Sequence, residues 1–125
     1  MIKRTAALLA TTALVAVPAT TLVAAPAHAV ERGGVCGDGR FSLDVETDDG
    51  QYEIQGDLDN VKAGSRWKLV LKQDGKVIFK DTRRADNEGD IDVERTRPNT
   101  AGKDTFRFIA TRVGGSPTCS TKVTL

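Results

Sequence analysis

The sequence predicts an all-β fold, a sandwich of seven short strands. Three observations carry that reading. From Phe41 onward apolar residues recur with a period of two rather than 3.6. Turn residues interrupt the pattern at regular intervals, at Asp48-Asp49-Gly50, Asp59-Asn60, Asp74-Gly75 and Gly114-Gly115-Ser116-Pro117. No segment after residue 29 carries apolar positions at helical spacing.

Residues 1–29 read as a cleaved secretory signal peptide. Lys3 and Arg4 supply the charged start, an apolar run follows from Ala6 to about Val17, and Ala27-His28-Ala29 is the small-x-small cleavage site. The run is too short for a membrane span, so a secreted, extracellular protein without a span is expected. Residues 30–39 are Gly-rich and read as an irregular lead-in, and residues 40–125 as the sandwich domain.

The expected strands, lettered A to G, follow in order. Phe41, Leu43 and Val45 are the inward residues of A; Tyr52, Ile54, Gly56 and Leu58 those of B. Trp67, Leu69 and Leu71 define C, Val77 and Phe79 define D, and Ile91, Val93 and Arg95 define E. Phe106, Phe108 and Ala110 define F, and Cys119, Thr121 and Val123 define G. The short C–D link requires D to pair with C, which favours an immunoglobulin- or fibronectin-like split into sheets A-B-E and D-C-F-G. A two-residue turn at Asp74-Gly75 would set Leu71 opposite Ile78 and Leu69 opposite Lys80. A turn with a bulge at Gly75 instead pairs Lys72 with Lys76, Leu71 with Val77 and Leu69 with Phe79. The second keeps one face apolar and is the expected register.

Two cysteines remain, Cys36 before strand A and Cys119 on strand G. In an oxidising compartment an even pair forms a disulfide, and A and G are neighbouring edges in such a sandwich. No Cys-x-x-Cys spacing points to redox chemistry.

Composition excludes most catalysis. His28 is the only histidine and leaves with the signal peptide, so Ser-His-Asp, Cys-His and His-zinc chemistry are not expected. Gly33-Gly34 and Gly37-Asp38-Gly39 do not lead into a helix with Lys-Ser/Thr, which removes a phosphate cradle. Carboxylates are numerous but follow strand alternation, and a domain this small offers little cleft for glycoside hydrolysis. Asp57-Leu58-Asp59-Asn60 and Asp86-Asn87-Glu88-Gly89-Asp90 are oxygen-rich, but neither has EF-hand spacing, and both read as turns rather than calcium loops. Trp67 and Tyr52 fall on inward positions, so they read as core and not as a stacking platform for sugars or nucleic acid. No cofactor and no metal are expected.

Charge is the remaining signal. Residues 30–59 hold nine acids and two bases, and residues 60–125 hold eight acids and fourteen bases. Alternation puts Asp44, Glu46, Glu53, Gln55, Asp57, Asp90, Asp92 and Glu94 on the outside of sheet A-B-E. On the outside of D-C-F-G it puts Arg66, Lys68, Val70, Lys72, Lys76, Ile78, Lys80, Arg107, Ile109 and Lys122. A basic rim around apolar Val70, Ile78 and Ile109 is the expected binding face, suited to an anionic polymer or acidic protein.

Several short motifs run the length of the chain after the signal peptide: Cys36, Gly64 with Trp67, Asp74-Gly75, Gly89 through Arg95, Asn99 with Gly102 and Asp104, and Cys119. In these the chain resembles a group of small secreted actinobacterial proteins of unknown function with a single Cys pair. The resemblance implies the disulfide and the sandwich, and it lends no catalytic residue and no ligand. The functional expectation is a secreted, non-catalytic binding module for an envelope polymer or extracellular protein, monomeric or weakly self-associating. The alternative is a small-ligand carrier, which would need an apolar cleft.

Overall fold

The computed structural model describes residues 29–125. The expected signal peptide, His28 included, therefore lies outside the described residues apart from Ala29. Eight strands and no helix occur among those described: β1 (Ala29–Cys36), β2 (Gly39–Asp48), β3 (Gln51–Asp59), β4 (Arg66–Gln73), β5 (Lys76–Arg84), β6 (Ile91–Pro98), β7 (Thr105–Arg112) and β8 (Thr118–Thr124). They form two antiparallel four-stranded sheets, ordered β1-β2-β3-β6 and β5-β4-β7-β8. Strands A to G are β2 to β8, and they divide between the sheets as alternation and the tight C–D link require.

The eighth strand is a correction. The Gly-rich residues 30–36 are not an irregular lead-in but an edge strand, paired with β2 from Ala29↔Glu46 to Cys36↔Gly39. Its inward positions are Val30, Arg32, Gly34 and Cys36, so the alternation is real but carried by side chains too mixed to show it. Glycine is required where the strands crowd: a Cβ on Gly33 would sit 2.1 Å from the Phe41 carbonyl oxygen.

The β4–β5 register is a second correction. Asp74 and Gly75 both take positive φ, 51° and 82°, and form a two-residue turn that pairs Gln73 with Lys76. The ladder then shifts between Leu71 and Lys72, so that Lys72 faces Val77 while Leu71 faces Phe79. Ile78 is the extra residue of a bulge. The bulge sits in the strand rather than in the turn, and it brings Phe79 back to the core face. Val77 is consequently outward and 55% exposed rather than inward. Lys76, opposite buried Gln73, leaves the outer face.

Inward residues of both sheets make one core. Trp67, Leu69, Leu71, Phe106 and Phe108 meet Leu43, Val45, Tyr52, Ile54, Leu58 and Val93, all nearly inaccessible. Trp67 Nε1 donates to Ser65 Oγ at 2.9 Å, so the indole is buried with its one polar atom satisfied. Tyr52 meets Phe106 edge to face at 4.9 Å between centroids. Gly56 on β3 marks a close approach of the two sheets, where a Cβ would lie 3.1 Å from the Phe108 ring.

The edges of the two sheets close differently. On one side Cys36 ends β1 and Cys119 lies on β8, bonded with Cα atoms 5.8 Å apart. On the other side Phe79 of β5 is covered by two guanidinium groups, Arg95 at 4.4 Å and Arg83 at 5.2 Å from the ring centroid. Arg83 Nη1 also donates to the Asp92 carbonyl on β6 at 3.0 Å.

Candidate functional site

The register sorts the charged side chains onto two opposite outer surfaces. Cross-strand partners share a face, so Lys72↔Arg107↔Lys122 and Lys80↔Val70↔Ile109↔Ser120 are rows across the β5-β4-β7-β8 sheet. Lys68 is flanked by Thr82 and Thr111, and Arg66 pairs with Arg84. Every charged residue at an outward strand position of this sheet is a base: Arg66, Lys68, Lys72, Lys80, Arg84, Arg107 and Lys122. Of the residues expected on the binding face, Arg66, Lys68, Val70, Lys72, Lys80, Arg107 and Ile109 take outward positions, whereas Ile78 is partly buried and packs against the core. The bulge puts Val77 on this face in place of Ile78, opposite Lys72. The apolar stripe therefore runs obliquely from Val77 through Val70 to Ile109, with basic residues on both flanks. Asp81 stays off this face because it pairs with inward Leu69.

The other outer surface is its counterpart. Glu31 on β1, Asp44, Glu46 and Asp48 on β2, Glu53, Asp57 and Asp59 on β3, and Asp92 and Glu94 on β6 all point outward. Arg40 is the one base among them. Asp90 lies in the turn before β6, where its carboxylate accepts from the Asn60 backbone at 3.3 Å.

Crowding leaves its mark on these carboxylates. Asp57 stands opposite Asp92 in the ladder. Partial burial, then a hydrogen bond and repulsion from Asp92, push the Asp57 pKa up to about 7, against a weaker pull from Gln55. Gln55 Nε2 donates to Asp57 Oδ1 at 3.2 Å. Asp59 is also raised, by burial and by Asp90 and Asp92. Asp44 Oδ1 is buried and has no hydrogen-bond partner. Asp44 also lines a hollow of about 360 Å³ together with Glu46, Glu53, Gln55, Glu94 and one base, Arg95.

The oxygen-rich turns are occupied by their own backbone. Asp86 Oδ1 accepts from the amides of Glu88 and Asp90, each at 2.9 Å. Among the described residues no group of three or more His, Cys, Asp or Glu is arranged to hold a metal ion.

A buried polar cluster went unread in the sequence. Asp104 is fully inaccessible. It accepts from the Thr100 hydroxyl, from the Thr100 amide at 3.4 Å and from Gln73 Nε2 at 3.5 Å. Burial raises its pKa, but the hydrogen bonds it accepts, those from Thr100 first, outweigh that and hold it down at about 2. Tyr52 donates to Asn99 Oδ1 at 3.1 Å. Burial and the Asp104 carboxylate push its phenol up to about 12. The Asn99, Gly102, Asp104 spacing was the available signal. A second hollow, about 420 Å³, lies over this cluster between Thr47, Tyr52, Asn99, Gly102, Lys103 and Leu125.

No helix among the described residues is long and apolar enough to cross a membrane. The chain matches no family model, no curated protein and no solved structure, so its two charged faces must be interpreted from their own chemistry.

Proposed function

We propose that the protein is a secreted, non-catalytic interaction module of fibronectin-like sandwich type, related to the small actinobacterial proteins it resembles. Its basic sheet face takes an anionic extracellular partner, an envelope polymer or an acidic protein. The observation that carries this reading is the segregation of charge: one broad sheet face holds only bases around an oblique apolar stripe. Such a surface attracts polyanions at long range and offers apolar contact once they dock. The Cys36–Cys119 bond supports the extracellular setting. The lack of any histidine after residue 28 supports a non-catalytic role.

The test is binding of polyglutamate and of polyphosphate, followed by fluorescence anisotropy across a salt series. Both should bind at low salt and weaken as salt rises. Lys68→Glu, Lys72→Glu and Lys80→Glu together should abolish binding while the circular dichroism spectrum stays unchanged. Equal binding by the triple variant would exclude the face.

The second reading is a small-ligand carrier, favoured by the hollow over Tyr52 and Asn99. Its volume is within the range of ligand sites, but Tyr52 and Leu125 are the only large apolar residues lining it. Extraction of a bound small molecule from secreted protein would favour this reading.

A further inference from the structure

We infer that a partner for the basic face is a second copy of this chain, seated with its acidic face against it. The inference rests on the basic face being a docking surface and names what docks there. Three observations carry it. First, the two faces are opposite in sign and both are built on four-stranded sheets, so their charges repeat on the same strand spacing. Second, the acidic face is not flat. Its hollow of about 360 Å³ is lined by Asp44, Glu46, Glu53 and Glu94 and by one base, Arg95, so its carboxylates outnumber its cation and a Lys or Arg side chain from outside can pair with one of them. Third, residues 30–125 carry 16 bases and 17 acids, so copies do not repel one another as wholes while their unlike faces attract.

The geometry dictates the kind of assembly. The two surfaces are the outer faces of different sheets, so the contact is heterologous, not self-complementary. Each copy keeps one free face of each sign, and the product is an open stack rather than a closed dimer. An anionic polymer competes for the same lysines, so polymer binding and stacking exclude each other on any one basic face.

The experiment is analytical ultracentrifugation of the secreted protein over a concentration series at about pH 8. It compares salt of about 20 mM with about 300 mM, which shortens the screening length from about 20 Å to about 6 Å. Wild type should at least double its weight-average mass with concentration at low salt and return to monomer at high salt. Two variants divide the faces: Lys68→Glu/Lys72→Glu/Lys80→Glu, and Glu46→Lys/Glu53→Lys/Glu94→Lys. Each alone should lose the unlike-charge contact and stay monomeric. In a mixture of the two reversed variants every face of one attracts every face of the other, so the diagnostic mixture uses neutral versions. The basic-face Lys→Gln and acidic-face Glu→Gln triples should be monomeric alone and form a species no larger than a dimer together. Unchanged circular dichroism shows that each variant folds. Wild type that stays monomeric at low salt overturns the stack, as does a neutral variant that still self-associates. If wild type is monomeric yet binds polyglutamate, stacking fails and the docking face stands; if it does neither, both fail.

Discussion

Asp57 and Asp92 face each other across the β3–β6 ladder, two acids in a position where opposite charges would stabilise the pair. The arrangement gives folding a pH dependence of definite sign. The folded Asp57 holds its proton up to about pH 7, whereas the unfolded chain releases it near the usual carboxylate value. The associated stability is present in full below about pH 4 and lost as pH rises towards 7. Asp57→Asn should therefore melt higher than wild type at about pH 8 and alike at about pH 4. Thermal melts at the two pH values check this; equal melting temperatures at pH 8 would show that the pair is not strained.

Asp104 acts in the opposite direction. Its pKa is depressed to about 2, so its contribution is present above the usual carboxylate value and lost as pH falls from about 4 to 2. Asp104→Asn should cost about 1–3 kcal/mol at neutral pH, because Thr100 and Gln73 lose an ionised acceptor. It should also flatten the acid limb of the stability curve. Urea unfolding of both proteins from about pH 2 to pH 7 measures the two effects together.

The core makes two separable predictions. Trp67→Ala should cost about 3–5 kcal/mol, a large part of a small domain's stability. Gly56→Val should also destabilise, for the reverse reason: its side chain would enter the space of the Phe108 ring. Adding the small-side-chain change Phe108→Leu should recover part of the Gly56→Val loss but none of the Trp67→Ala loss. Denaturant midpoints of the single and double variants test the coupling.

Reduction of Cys36–Cys119 frees a chain segment spanning 83 positions. Restricting so long a loop in the unfolded chain is worth about 4–5 kcal/mol. Cys36→Ser/Cys119→Ser should lower the melting temperature substantially while leaving the core positions unchanged. Calorimetry of the double variant beside wild type checks it; coincident transitions would mean that the bridge adds nothing to folding.

The sequence made the core strands legible because a sheet buried on one face writes itself as alternation. Phe41, Tyr52, Trp67, Ile91 and Phe106 each begin such a run and each is buried. β1 broke that rule with Arg and Gly at inward positions, so pairing geometry alone reveals it. The β5 bulge was misplaced by one step for a related reason. Val77, Ile78 and Phe79 are consecutive apolar residues, and hydrophobicity cannot say which of them faces out. The basic face survived that error because Lys68, Val70, Lys72 and Arg107 belong to regular ladders. The Asp104 cluster was half legible: Asn99, Gly102 and Asp104 stand close in the sequence, but Tyr52 and Gln73 join them only through tertiary contacts.

The unequal edges give the domain a preferred direction of opening. Where β1 meets β8 the chain is riveted by a covalent bond; where β5 meets β6 it is latched by two arginines resting on one phenyl ring. A rivet cannot breathe, but a latch of weak, solvent-facing contacts can. Local fluctuations of the folded protein should accordingly swing about the β1–β8 side as a book does about its spine. Amide hydrogens of β5 and β6 would then exchange before those of β2 and β7. Water, proteases and any unfolding intermediate would enter by the Phe79 side.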